Sequence, residues 1–379
     1  MKEFIYLDNA STTPLDKRVL DAMMPYLTKY YGNANSVHLV GREAVSGLDN
    51  ARQTVADLIG AEFNEIYFTS GGTESNNLAL RGAFYSRGEK NKLIISSIEH
   101  PSVLQTAKDL ESLGASVKAV RPNDKGIVRA TDYVNLGLSD AFLVCLMTAN
   151  NEIGTIQPIK ELSNACKESG ATLFTDGVQA VGSQVLNVKE LGVDMLSFSA
   201  HKFGGPKGVG VLYIKNGTKI SPQITGGHQE RSRRGGTSNV AGAVGLATAL
   251  KISRENLSEK SKYLTCLRNY FIDGIINKTG NVKINGDREL RLSGNANITF
   301  FGVDGEALLY ALDLKGVCAS LGSACSSGTI EPSYVLKEIG LSDKDAKSTV
   351  RFTLSSDNTY EEINRAIEII SDCVKSLQK

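Results

Sequence analysis

Several features that mark common protein classes are missing from this chain of 379 residues. No two of its six cysteines form a Cys-x-x-Cys pair, so zinc ribbons and thioredoxin-type redox sites are not supported. The longest unbroken apolar run covers residues 141–147, far short of the ~18 residues that span a bilayer. The N-terminal residues contain no apolar stretch of signal-peptide length. We therefore expect a cytoplasmic protein without membrane contact, whose thiols are free and mostly buried.

The chain also has no excess of either charge, because it contains 42 lysines and arginines and 41 aspartates and glutamates, which gives a net charge of +1. This balance gives no broad electrostatic case for direct binding of nucleic acid. Prolines are few, at 8, while the 37 glycines exceed the usual share of ~7%. Glycine in excess without proline favours tight loops around a ligand over a flexible linker. The length predicts two domains.

Short apolar runs alternate with helical patterns from about residue 40 to residue 215. Several of the runs are apolar throughout, which is typical of strands covered on both faces. This alternation predicts an α/β fold with a large, mostly parallel sheet. A helical stretch over residues 239–276 then leads into a smaller α/β unit. The predicted strands of the first unit are 65–69, 92–95, 142–147, 172–175, 195–199 and 209–214, and its predicted helices are 74–85, 101–113 and 159–169.

Two glycine-rich stretches require a test for nucleotide binding. Residues 204–210 precede a strand, whereas a nucleotide-binding loop leads from a strand into a helix, so a tight turn is predicted there. Residues 70–76 (SGGTESN) have the required context, between a predicted strand and a predicted helix. Their glycines let the backbone approach an anion at the helix N-terminus. A plain N-cap by Thr73 explains the same residues equally well.

Lys202 follows the apolar strand 195–199. Burial there would lower the pKa of the amine and favour the neutral nucleophile that forms a Schiff base, although a lysine reaching solvent is the alternative. Asp176 follows strand 172–175, at the edge where α/β sheets bind ligands, although it could simply cap the next turn. Pyridoxal phosphate needs such a carboxylate on its ring nitrogen. An anion-binding loop, a strand-end aspartate and a lysine, in this order, favour a pyridoxal-phosphate enzyme.

Eight segments, in chain order, carry a recognisable pattern: 6–14 (YLDNASTTP), 72–77 (GTESNN), 99–102 (EHPS), 150–154 (NNEIG), 175–180 (TDGVQA), 199–202 (SAHK), 234–237 (RGGT) and 322–328 (GSACSSG). Together they resemble the cysteine desulfurases, within the fold-type I, class V aminotransferase group of pyridoxal-phosphate enzymes. The resemblance covers nearly the whole chain, and departs at Gly177 and Leu321, where alanine and serine are usual. It implies a large cofactor-binding domain at residues 15–255 and a small domain at residues 1–14 and 256–379.

The resemblance also implies a role for each matching residue. Lys202 would carry the cofactor as a Schiff base, Asp176 would pair with the ring nitrogen, and His100 would stack on the ring and assist proton transfer. Arg351 would bind the substrate carboxylate, a task that its planar fork suits. The other contacts would come from Gln179 and Asn151 at the ring's phenolic oxygen, Asn151 at the substrate, Gly72, Thr73, Ser199 and His201 at the phosphate, and Thr237 at the phosphate of the partner subunit in a homodimer.

Cys325 lies in a run of small residues without apolar periodicity, which favours an accessible thiol over a core position. From the residues alone, an incidental loop cysteine is an equal alternative. The resemblance implies that Cys325 takes the sulfur of L-cysteine as a persulfide, leaves L-alanine, and passes the sulfur to an acceptor protein for iron–sulfur cluster assembly or tRNA thiolation. No resident metal site is predicted, and Cys325 would bind an iron–sulfur cluster only in passing. Cys145, Cys166 and Cys266 lie in apolar patterns and are interpreted as packing residues.

Two other functions are alternatives to a cysteine desulfurase. A selenocysteine lyase or another class V aminotransferase would share the cofactor site, but a transaminase needs no reactive thiol. A non-catalytic scaffold would require loss of the cofactor chemistry, whereas Lys202, Asp176 and His100 are all present.

Overall fold

Residues 4–321 and 331–378 are described by the structure, a computed structural model. Within these ranges the strands are Ile5–Tyr6 (β1), Ile66–Thr69 (β2), Lys92–Ser96 (β3), Ser116–Val120 (β4), Ala141–Cys145 (β5), Leu173–Asp176 (β6), Met195–Ser199 (β7), Gly210–Ile214 (β8), Val282–Ile284 (β9), Asn295–Phe300 (β10), Val317–Cys318 (β11) and Thr349–Thr353 (β12). The α-helices are Lys17–Thr28 (α1), Leu39–Ile59 (α2), Gly72–Tyr85 (α3), Pro101–Ser112 (α4), Ala130–Val134 (α5), Ile159–Ser169 (α6), Val188–Leu191 (α7), Val240–Arg254 (α8), Leu257–Thr279 (α9), Gly305–Leu314 (α10), Tyr334–Glu338 (α11), Asp343–Lys347 (α12) and Tyr360–Leu377 (α13).

A seven-stranded sheet forms the centre of the larger half, in the order β2-β8-β7-β6-β5-β3-β4. Strand β8 runs antiparallel to β2 and β7, and the other neighbouring pairs are parallel. Every residue of β5, β6, β7 and β8 is buried, because apolar residues of helices pack on both faces of the sheet. The mostly parallel sheet and its doubly covered strands confirm the predicted α/β fold.

The smaller half has its own apolar core around the antiparallel sheet β12-β10-β9. Phe271 of α9 packs on Phe352 of β12, with ring centroids 5.2 Å apart. Ile5 and Leu7 belong to this core, because β1 pairs in parallel with β11. The N-terminal segment therefore begins in the smaller half and crosses to the larger one. The domain boundaries at residues 15 and 255 stay a prediction.

The helical stretch predicted over residues 239–276 is two helices, so that prediction was wrong in its continuity. Helix α8 ends at Arg254, and α9 begins at Leu257 after Asn256, which has a left-handed φ of 53°. Asparagine adopts this conformation more readily than most residues, so it permits a sharp turn between the two helices. None of the helices in residues 4–321 and 331–378 is long and apolar enough to cross a membrane.

Candidate active site

The carboxyl ends of β5, β6 and β7 open into a cavity of about 380 Å³ between the central sheet and the smaller half. This is the edge of a parallel sheet where ligands bind in α/β folds. Asp176 is the last residue of β6, and Lys202 lies in the short 3₁₀ turn that follows β7. The structure brings together around this cavity ten residues named from the sequence: Gly72, Thr73, His100, Asn151, Asp176, Gln179, Ser199, His201, Lys202 and Arg351.

The Asp176 carboxylate is buried and held in a fixed orientation. One oxygen accepts a hydrogen bond from Asn76 Nδ2 at 2.7 Å, and the other accepts one from the amide of Val178 at 2.9 Å. Ser197 Oγ donates to Asn76 Oδ1 at 2.5 Å, which fixes the orientation of that amide. A buried carboxylate whose oxygens are held in this way keeps its charge at one place in the cavity.

A short polar chain joins Asp176 to His100. Asn76 Nδ2 also donates to Ser102 Oγ at 2.8 Å, and Ser102 Oγ lies 2.8 Å from His100 Nδ1. Burial lowers the pKa of His100 below its ordinary 6.5, while the charge of Asp176 acts in the opposite direction. The imidazole is therefore neutral near pH 7, with Nδ1 tied to the serine.

Asn76 and Ser102 were not assigned roles from the sequence, although both lie in the matching segments. Asn76 lies four residues after Gly72 on α3, so the two share one face of the helix. Ser102 is in the first turn of α4, two residues after the N-cap residue His100. Helical spacing was the signal that could have identified Asn76 from the sequence.

The Lys202 amine is half-buried and donates to the carbonyl oxygens of Ala10 and Ser11, at 2.6 and 2.8 Å. Burial lowers the pKa of Lys202 from 10.5 to about 8, and the positive charge of Arg351 adds to this effect. A larger fraction of the amine is therefore neutral at physiological pH than for an exposed lysine. Neutral amine is the form that attacks a carbonyl.

The start of α3 provides an anion site beside Ser199. Its N-cap residue is Gly71, which has no side chain to cap the first amides of the helix. A Cβ on Gly72 would lie 2.8 Å from Val178 Cγ2, so this glycine permits the close packing of the cavity wall. Burial lowers the pKa of His201 to about 4, so its neutral imidazole can accept or donate a hydrogen bond at the same place. Uncapped amides with nearby hydroxyls suit a phosphate.

The cavity wall also contains an unsatisfied polar atom. Asn151 Oδ1 is buried without a hydrogen-bond partner among the described residues. Buried polar atoms without a partner are uncommon, and a polar ligand is one way to complete them. The anion site at α3, the carboxylate of Asp176 and the amine of Lys202 fit the phosphate, the ring nitrogen and the aldehyde of pyridoxal phosphate.

Arg351 reaches the cavity from β12 in the smaller half and is almost fully buried, with 4% of its side chain exposed. Its Nη2 donates to Asp8 Oδ1 at 2.8 Å and to Ser11 Oγ at 2.7 Å, and its Nη1 donates to the carbonyl of Asn151 at 3.0 Å. Asp8 was not predicted as a site residue, and its contact with Arg351 joins residues 343 positions apart in the sequence.

The other two residues named from the sequence are Thr237 and Cys325. Thr237 is exposed and is absent from the cavity wall of its own chain. Cys325 lies outside the described residues, as does the rest of its segment, 322–328. The described part of the chain contains no grouping of three or more metal-ligating side chains, and the transient cluster contact of Cys325 stays a prediction.

The packing prediction for the other cysteines holds for two of the three. Cys145 and Cys166 are buried, whereas Cys266 is exposed, so the packing role predicted for Cys266 was wrong. It lies on α9, whose buried residues include its neighbour Leu267 and Phe271. Because consecutive residues of a helix point in directions ~100° apart, Cys266 falls outside the buried stripe.

Comparisons with known proteins support the interpretation of this cavity as a pyridoxal-phosphate site. The chain matches the family model "Aminotransferase class-V" over residues 5–366. It is 45% identical to the cysteine desulfurase IscS of Dictyoglomus turgidum, a match over 379 residues that covers 100% of this chain and 96% of the relative.

Two solved structures have the same fold over most of both chains. A NifS-like protein superposes with a TM-score of 0.93 at 36% identity, covering 99% of this chain and 100% of the other. A structure of SspA in complex with cysteine superposes with a TM-score of 0.80 at 34% identity, covering 93% of this chain and 99% of the other. The chain therefore has the fold of type I pyridoxal-phosphate transferases.

Proposed function

Since this chain belongs to the class V aminotransferase family and, within it, to the cysteine desulfurases, we propose that it removes sulfur from L-cysteine with pyridoxal 5′-phosphate as cofactor. The products are L-alanine and a persulfide on Cys325. The observation that carries the proposal is the convergence of Lys202, Asp176 and Arg351, from three separate parts of the chain, on one cavity. These groups match the aldehyde, the ring nitrogen and the substrate carboxylate.

The bound cofactor supplies an electron sink for the Cα carbon of an amino acid. Asp176 would hold the ring nitrogen protonated, which its fixed and buried carboxylate can do without reorganisation. Lys202 would hold the cofactor at rest, and its amine, once free again with a pKa of about 8, would move the proton from Cα. Arg351 fixes the substrate carboxylate, and therefore the orientation of the Cα–H bond.

The transfer of sulfur balances without an external oxidant or reductant. The Cys325 thiol attacks the sulfur of cysteine, the C–S bond breaks, and an S–S bond forms. The carbon that loses sulfur gains a proton, so cysteine and the enzyme thiol become alanine and the enzyme persulfide. His100 is placed to supply protons, because its Nδ1 is engaged by Ser102 and its Nε2 is the other nitrogen that can carry a proton.

The quaternary structure and the acceptor are part of the same proposal. We expect a homodimer in which Thr237 completes the phosphate site of the partner subunit. Its exposed position, away from the cavity of its own chain, supports this role. Apolar side chains exposed on and after α1 support a subunit contact there: Leu20, Met24, Leu27, Tyr31 and Val37.

The persulfide sulfur would pass to an acceptor protein for iron–sulfur cluster assembly or tRNA thiolation, with no direct contact to nucleic acid. The cytoplasmic location stays a prediction.

Incubation with L-cysteine and a physiological reductant tests the function. Alanine and sulfide should form in equal amounts, and in a parallel sample without the reductant mass spectrometry should find a persulfide on Cys325. The Cys325→Ser variant should release no sulfur, whereas Cys266→Ser, the matched control at an exposed cysteine, should keep full activity. Full sulfur release by Cys325→Ser would favour a selenocysteine lyase or another class V aminotransferase instead.

A further inference from the structure

The Nη2 atom of Arg351, which a bound carboxylate would use, already donates hydrogen bonds within the protein. An arginine has five N–H donors, two on each Nη and one on Nε. In this structure both hydrogens of Nη2 are committed, one to Asp8 Oδ1 at 2.8 Å and one to Ser11 Oγ at 2.7 Å. The Nε atom is buried and has no partner among the described residues.

Both two-point arrangements of an arginine on a carboxylate use Nη2. One pairs Nη2 with Nε, and the other pairs Nη2 with Nη1. A substrate carboxylate can therefore bind Arg351 by two hydrogen bonds only if Nη2 releases Asp8, Ser11 or both. The buried and unpartnered Nε is then available as the second donor, while one hydrogen of Nη1 stays with the carbonyl of Asn151 at 3.0 Å.

The exchange requires rotation of side chains rather than departure of the N-terminal segment. The segment is fixed to β12 by backbone contacts: the Thr353 amide donates to the Leu7 carbonyl at 2.7 Å, and the Ala10 amide donates to Thr353 Oγ1 at 2.8 Å. Ser11 Oγ also donates to Asp8 Oδ1 at 2.9 Å, so Asp8, Ser11 and Arg351 form a closed triangle. The Asp8 side chain has 19% of its surface exposed, which leaves it a path away from Arg351.

We propose that Asp8, supported by Ser11, is an internal competitor for the substrate carboxylate. Asp8 pairs with Arg351 in the resting enzyme, and the α-carboxylate of the amino acid takes its place on binding. The role of Asp8 rests on the proposed function, because it assumes that Arg351 receives that carboxylate. The pairing keeps a buried arginine satisfied between turnovers and lowers the affinity for every ligand that must displace it.

The test measures binding of L-alanine, which has the substrate's carboxylate but no sulfur, to the cofactor-loaded enzyme by titration calorimetry. In Asp8→Asn the competing charge is lost while the side-chain shape is kept, so L-alanine should bind about fivefold to tenfold more tightly. Ser11→Ala removes one of the two acceptors on Nη2 and should give a smaller gain in the same direction. L-alanine methyl ester has no carboxylate to exchange, so its affinity should be the same in all variants.

The control is Asp124→Asn, which makes the same change of net charge at an exposed turn residue and should leave the affinity for L-alanine unchanged. Unchanged or weaker binding of L-alanine by Asp8→Asn would overturn the proposal and make Asp8 a residue that merely orients Arg351. An equal gain for the ester would also overturn it, because the effect would then be independent of the carboxylate. Should Asp8→Asn fail to fold, the affinities of Ser11→Ala for L-alanine and for its methyl ester decide in the same way.

These outcomes are distinct from failure of the proposed function. That failure would appear as no alanine from L-cysteine in the wild-type enzyme. The competitor proposal fails when the wild-type enzyme makes alanine and the Asp8 and Ser11 variants bind L-alanine no more tightly than it does.

Discussion

Glu99 should carry a proton at neutral pH, and its replacement should change how stability depends on pH. Its carboxyl is fully buried; Oε1 accepts from the Met147 amide at 2.8 Å, and Oε2 has no hydrogen-bond partner among the described residues. Burial raises the pKa of Glu99 from 4.5 to about 8, and the negative charge of Asp176 adds to the rise. A second charge beside Asp176 is thereby avoided.

The sign of the effect follows from proton binding. Because the folded pKa lies above the unfolded one, the native state holds more protons between pH 4.5 and 8. The contribution of Glu99 to stability is complete below pH 4.5 and is lost as the pH rises to 8. At about 1.4 kcal/mol for each pH unit, the loss reaches about 5 kcal/mol across this range.

The assay compares urea denaturation of the cofactor-loaded protein at several pH values. Glu99→Gln stands in for the protonated acid, so its free energy of unfolding should fall less steeply than the wild type's between pH 5.5 and 8. The control is Glu89→Gln, an exposed residue whose replacement should leave the slope unchanged. Equal slopes for wild type and Glu99→Gln would mean that Glu99 is ionised in the native state, contrary to this prediction.

Three further predictions concern an ion pair, the cofactor site and the thiols. Arg52 and Glu230 form a buried pair at 2.7 Å with 4% and 5% of their side chains exposed, so Arg52→Met should lower the free energy of unfolding by about 3–5 kcal/mol in urea titrations. Lys189→Met, which breaks an exposed pair with Glu62, should cost less than about 1 kcal/mol, and equal losses would contradict the argument. Asp176→Asn should slow alanine formation about tenfold to a hundredfold, because a charged hydrogen bond to the ring nitrogen is lost; a wild-type rate would remove Asp176 from the mechanism. In native protein, maleimide should label Cys266 and spare Cys145 and Cys166, since burial also raises the pKa of Cys166 to about 12. Peptide mapping reads the result, and labelling of Cys145 before Cys266 would contradict the described packing.

Predictions from the sequence were most accurate where local pattern and burial agree. Strand β7 has the predicted bounds because all five of its residues are buried in the sheet. The positions of Asp176 and Lys202 followed from it and from β6, since parallel strands end at a common edge. Strand β4 was not predicted, because it lies at the sheet edge and only Val120 is buried.

Contacts between distant segments were beyond sequence patterns. The pairing of Asp8 with Arg351 depends on how the smaller half lies across the cavity, which no periodicity encodes. The same holds for the polar chain from Asp176 through Asn76 to Ser102, whose members come from three different elements. Asp8, Asn76 and Ser102 could be recognised from the sequence only as members of the matching segments. Their hydrogen-bond partners could be identified only from the folded structure.

Identifying the lysine to which pyridoxal phosphate attaches tests most directly whether Lys202 carries the cofactor. The cofactor-loaded protein is treated with borohydride, digested and mapped by mass spectrometry. We expect the phosphopyridoxyl group on Lys202 and none at any lysine of the Lys202→Ala variant. Attachment to another lysine, or an unmodified Lys202 in fully loaded protein, would contradict this expectation.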